Sequence, residues 1–131
     1  MKIVKRFNFG FADVFIYDND VFHFHYLSKV SLQLEQIILV NEVKNDFIKQ
    51  KKVCVLYSSE DEYVTPTKET IQYIQSAEWY SNIKANAWVI KSFSHRLALK
   101  AALVVKKTKA PVAYFKSKEK AINWLLTFCE D

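Results

Sequence analysis

Two histidines stand two residues apart in the run Val21-Phe-His-Phe-His-Tyr26. In an extended strand the alternation puts His23 and His25 on one face and Phe22, Phe24 and Tyr26 on the other. Paired imidazoles are half of a metal site. Zinc asks for three or four protein ligands, and no cysteine or carboxylate cluster lies nearby in the sequence. The favoured reading turns the aromatics to the core and the histidines to solvent or to the far face of the sheet, with no metal. Ser94 and His95 are adjacent, but neighbouring residues on a helix point in different directions and make no nucleophile–base pair. The chain has one glycine. It therefore lacks a Gly-x-Ser-x-Gly elbow, a P-loop and a Gly-rich dinucleotide fingerprint. Neither paired carboxylates nor a cofactor motif is visible, so the residues predict a protein that binds, without catalysis and without a cofactor.

The serines mark the other candidate site. Ligands in open α/β sheets bind where parallel strands hand over to helices. Those places fall at Ser58, Ser59, Ser92 and Ser94, with Arg96 as a group to hold an anion. Lys100, Lys106, Lys107, Lys109, Lys116, Lys118 and Lys120 make the last third basic, within a net charge of +5. A solvated helix end, its lysines favourable to the helix dipole, is favoured over a nucleic-acid surface. Trp79, Tyr80, Trp88, Trp124, Tyr73 and Phe93 sit near helix–strand boundaries. They suit a pocket or a dimer face, and more simply a core in which Trp88 packs on Trp124.

Several elements must position these groups. Lys2–Phe9, Val14–Tyr17 and Val21–Tyr26 read as strands of an antiparallel meander, with Gly10 and Asp18-Asn19-Asp20 as turns. Ser31–Lys52 has helical apolar spacing, with Lys44 among its polar residues and Ser28 or Ser31 as its cap. Val53–Tyr57 is a strand buried on both faces. Thr65-Pro66 opens a helix to about Tyr80, with Thr65 as cap and Pro66 in the first turn. Ala85–Lys91 is a strand, and Ser92 or Ser94 caps the helix after it. Pro111–Phe115 is the last strand and Ser117 caps the last helix. The order predicts an α/β fold: a mixed sheet of about five strands, the meander first and parallel βα units after it, flanked by four helices.

Bulk composition agrees. In 131 residues, half are hydrophobic and 15% aromatic, which supplies one domain with a core of its own. No unbroken apolar run reaches the ~20 residues that span a bilayer, and no signal peptide is read. Cys54 and Cys129 are read as free thiols in a reducing cytoplasm.

Ala85-Asn-Ala-Trp-Val-Ile-Lys-Ser92, Arg96, Ala110-Pro-Val-Ala-Tyr-Phe115 and Ala121-Ile-Asn-Trp-Leu125, in this order of elements, resemble the SpoIIAA-like branch of the STAS-type domains. The likeness extends to small uncharacterised proteins of Bacteroidetes type. It implies a binding or regulatory module; with the other readings this predicts a cytoplasmic protein that binds a protein partner or itself and no nucleic acid. The alternative it implies is a carrier of a small apolar, lipid-like ligand between sheet and helices. In phosphorylated antagonists of this type, an Asp-Ser-[Ser/Thr]-Gly-like turn follows the central strand. Here Tyr57-Ser58-Ser59-Glu60-Asp61-Glu62 keeps the serines and lacks the Asp and the Gly. Its carboxylates would repel a phosphate, so an acidic surface loop is favoured over a phosphorylation site.

Overall fold

The structure, a computed structural model, describes residues 2–48, 51–61, 66–103 and 110–129. Six strands lie in one sheet in the order of the sequence: β1 (Ile3–Asn8), β2 (Ala12–Tyr17), β3 (Val21–Tyr26), β4 (Val53–Ser59), β5 (Ile83–Val89) and β6 (Val112–Phe115). β1, β2 and β3 pair antiparallel, and β3 through β6 pair parallel. The helices are α1 (Leu34–Ile48), α2 (Lys68–Ile74), α3 (Ala77–Tyr80), α4 (Phe93–Leu103) and α5 (Lys118–Cys129). The expected mixed α/β sheet is therefore present, with six strands in place of about five, and five helices in place of four, among the described residues.

The extra helix comes from a break between α2 and α3. Ser76 is extended (φ −85°, ψ 159°), and its hydroxyl donates to the Tyr73 carbonyl at 2.6 Å. A serine side chain that takes a backbone acceptor competes with helix continuation. The start also shifts. Thr67 is the cap, accepting from the Thr70 N–H, while Pro66 pairs with Leu32 in an isolated bridge. Thr65 lies outside the described residues. At α1, neither Ser28 nor Ser31 is the cap: the Gln36 side chain reaches back to the Gln33 N–H at 2.8 Å. Ser92 and Ser117 do cap α4 and α5, accepting from the N–H groups of His95 and Lys120.

Two cores flank the sheet. One face carries Val14, Ile16, Phe22, Phe24, Val55 and Tyr57 against Ile37, Val40, Ile74 and Trp79. The other carries Tyr17, Val21, Leu56, Ala85 and Ala87 against Ala121 and Leu125 of α5. The alanines of β5 let α5 approach closely. Alternation along β5 sends Trp88 to the first face, whereas Trp124 rides on α5. The expected Trp88–Trp124 contact is thus corrected. Trp88 stacks on Tyr57, and Trp124 packs on Phe115 and Phe128.

One further expectation is overturned, and one polar residue of α1 is buried. Cys54 and Cys129 are not free thiols: they form a disulfide across 75 residues, tying the centre of the sheet to the end of α5. That pairing removes the ground on which a reducing compartment was expected. Lys44 is not on a solvent face of α1. It is 0% exposed. Its ammonium donates to the Trp79 carbonyl at 2.8 Å and to Asn82 Oδ1 at 2.6 Å, and lies 4.5 Å from the centroid of the Trp79 ring. Burial lowers its pKa to about 7. Among the described residues, no helix is long and apolar enough to cross a membrane.

Candidate functional site

Ser58 is the next-to-last residue of β4, and the parallel register sets it opposite His25 of β3. Because period two carries His23 and His25 to one face, both rings reach the same hydroxyl. His23 Nε2 and His25 Nδ1 each lie 2.7 Å from Ser58 Oγ. The other nitrogen of His25 lies 2.9 Å from Glu60 Oε1. His23 is buried, stacks on Tyr17 and is tilted against Phe15. Desolvation first, then the charges of Lys118 and His25, lower its pKa to about 3, so it stays neutral at ordinary pH.

These contacts assign the protons. A carboxylate only accepts, so His25 gives Nε2–H to Glu60 and keeps Nδ1 bare for the Ser58 hydroxyl. Ser58 Oγ then accepts Nε2–H from His23. His23 Nδ1 remains as a buried nitrogen without a partner. The reverse order would orphan a buried N–H at that position, which is rarer than an orphaned acceptor. A serine, a histidine base and an orienting carboxylate therefore do converge. Local motifs point to such a set only at Ser94–His95 or at glycine patterns, and it lies at neither. Its sequence signal is the strand alternation of His23 and His25, joined by a register that only the sheet sets. His25 is largely sheltered, so turning the pair to solvent does not describe the structure; the far-face alternative does.

A half-enclosed pocket opens at the carboxyl ends of β3, β4 and β5, beside α4. Phe24, Tyr57, Trp88, Ile90 and Leu99 give it an apolar wall, and Ser58, Ser59 and His95 border it. Its cavity volume is about 40 Å³. Trp88 lies flat on Tyr57 there. The Tyr57 hydroxyl accepts from Trp79 Nε1 at 2.8 Å and donates to Asn86 Oδ1 at 2.7 Å. His95 is 9% exposed, and among the described residues neither ring nitrogen has a hydrogen-bond partner.

The sequence-predicted residues divide between these features. Ser58 and Ser59 border the pocket and a neighbouring recess of about 60 Å³, which they share with Glu60 and Lys91. Neither serine lies in a loop: both belong to β4, and the acidic segment begins at Glu60. Ser92 is occupied as a cap. Ser94 is exposed in the first turn of α4, and Arg96 lies 5.7 Å from the centroid of the Phe93 ring on the same helix. Ser92, Ser94 and Arg96 do not border the pocket. His95, passed over in the sequence, does. Its helical spacing with Leu99 was legible as one face of α4, but its two unpaired nitrogens were not. Among the described residues, no three His, Cys, Asp or Glu side chains are placed to hold a metal ion.

Comparison with solved structures finds a similar fold in an uncharacterized protein from the DUF3478 family with a SpoIIAA-like fold, from Shewanella loihica PV-4. The TM-score is 0.58 at 14% identity, over 87% of this chain and 91% of that one. The SpoIIAA-like resemblance read from the residues is thereby shown for the fold. Residues 15–129 match the model of a family described as a domain of unknown function, DUF7793. No curated protein matches the sequence.

Proposed function

The chain belongs to the DUF7793 family, and on that premise we propose that it is a regulatory protein-binding module. In this reading it receives one side-chain-sized group of its partner in the pocket beside α4. The observation that carries the reading is His95: a buried imidazole with both nitrogens unpaired, against an aromatic wall. Leaving a buried polar group unpaired costs roughly 1–3 kcal/mol. A partner that brings a hydrogen-bonding atom on a flat apolar group, as tyrosine or tryptophan does, recovers that cost. Anchors of this kind in pockets dominate interface energetics.

The exposed face of the same helix supports a protein partner. Phe93 and Leu97, one turn apart, are 66% and 52% exposed. The pocket is half open, so an aromatic side chain can seat its edge there, whereas a lipid-like ligand needs ~300 Å³ or more.

The test is an NMR titration of histidine-labelled protein with p-cresol and indole, analogues of the two anchors. The expected result is a saturable shift of the His95 ring signals, absent in His95→Phe. Ring signals that stay still with both probes would overturn the reading.

A further inference from the structure

Ser58 is more elaborately held than a strand serine needs to be. One hydrogen bond would satisfy its hydroxyl; instead, two imidazoles converge on the same oxygen at 2.7 Å. The proton assignment gives these contacts direction. His25 Nδ1 is an acceptor for the hydroxyl proton. The Glu60 carboxylate, on the far side of the ring, steadies the imidazolium that forms when the proton arrives. His23 keeps an N–H on the oxygen and stabilises it as it gains charge. Nucleophile, base and orienter within hydrogen-bond reach are the signature of an activated nucleophile. Ser58 also borders the recess shared with Ser59, Glu60, Val89, Ile90 and Lys91.

We propose that Ser58 is an acylation site, a hydroxyl poised to accept an acyl group from an activated ester. In that step Ser58 Oγ forms a bond to the carbonyl carbon while its proton passes to His25 Nδ1. The bond from that carbon to the leaving oxygen breaks, and the electron pair departs with that oxygen. The leaving oxygen then takes the proton from His25. The products are an ester at Ser58 and a free alcohol or phenol, with no other reactant needed.

The charge of the site selects the acyl group over a phosphoryl group. Glu60 is bound to His25, and Asp61 follows it just past the end of β4. A phosphate would add about −1.5 to −2 charge beside these carboxylates. An acyl group adds none. It removes the hydroxyl proton that His25 accepts, so the chain from His23 to Glu60 is broken at its centre. The site therefore works as a stoichiometric switch at a residue that also borders the pocket beside α4.

The experiment treats the full chain with p-nitrophenyl acetate and locates the acetyl groups by tandem mass spectrometry. Ser59, one residue away, is the internal reference for ordinary serine reactivity. The expected result is acetyl on Ser58 at least roughly 100-fold faster than on Ser59, as a positioned base allows. His25→Gln should lose most of that advantage, and Glu60→Gln should slow it by roughly tenfold. Near-ultraviolet circular dichroism checks that each variant is folded. The wild-type map alone decides the matter if a variant is not. Acetyl confined to Lys91 and other amines, or Ser58 no faster than Ser59, would overturn the proposal.

Discussion

Trp88 lies on Tyr57 with ring centroids 3.9 Å apart and planes 6° from parallel. Neighbouring parallel strands β5 and β4 supply the two rings from directly paired positions, Tyr57 opposite Trp88. The stack fixes the floor of the pocket, and the Tyr57 hydroxyl anchors it from below through Trp79 and Asn86. Burial raises the Tyr57 pKa well above its usual value, so the hydroxyl keeps its proton and goes on donating.

Tyr57→Phe keeps the stack and removes the hydroxyl. Trp79 Nε1–H and Asn86 Oδ1 would both be left buried and unpaired, while Asn86 Nδ2 already lacks a partner. The expected cost is about 1–3 kcal/mol, read as a lower urea midpoint at unchanged slope. An unshifted midpoint would mean that the network contributes nothing to stability.

Lys44 should make stability rise with pH. Its pKa is about 7 in the folded chain and 10.5 in the unfolded one. Between those values the unfolded chain holds more protons, so unfolding becomes harder as pH climbs. The rise approaches ~1.4 kcal/mol per pH unit. Denaturation at pH 7 and pH 9 should show it in the wild type and show it weakened in Lys44→Met.

His23 acts in a lower window. Its folded pKa of about 3 lies below the usual 6.5. Stability from its neutral form is complete above pH 6.5 and lost as pH falls toward 3, on the order of 5 kcal/mol in all. His23→Phe should lose less stability than the wild type between pH 6.5 and 4. Parallel loss in both proteins would point to the carboxylates instead.

The disulfide closes a loop of 75 residues. Chain-entropy reasoning assigns such a closure about 4 kcal/mol. Thermal unfolding with and without dithiothreitol should separate by several degrees, and Cys129→Ala should be insensitive to the reductant. Equal melting temperatures for wild type in the two buffers would show that the bond adds no stability.

The sequence by itself determined the kinds and order of the elements. Period-two runs such as Val21–Tyr26 and helical runs such as that around Leu34 and Ile37 carry their own signal, because burying one face of an element constrains residues close together in the chain. It also placed His23 and His25 on a common face and put Ser58 and Ser59 just past a strand that in fact includes them. What only the tertiary structure decided is which distant residues meet. No local spacing links His25 to Ser58 across 33 residues, Cys54 to Cys129, or Lys44 to Trp79 and Asn82. Those meetings follow from strand register and from which helix covers which face. Lys44 reads as a surface residue in any local window. It is buried because α1 must lie over the loop before β5, and its ammonium finds a carbonyl, an amide and an indole ring there in place of water.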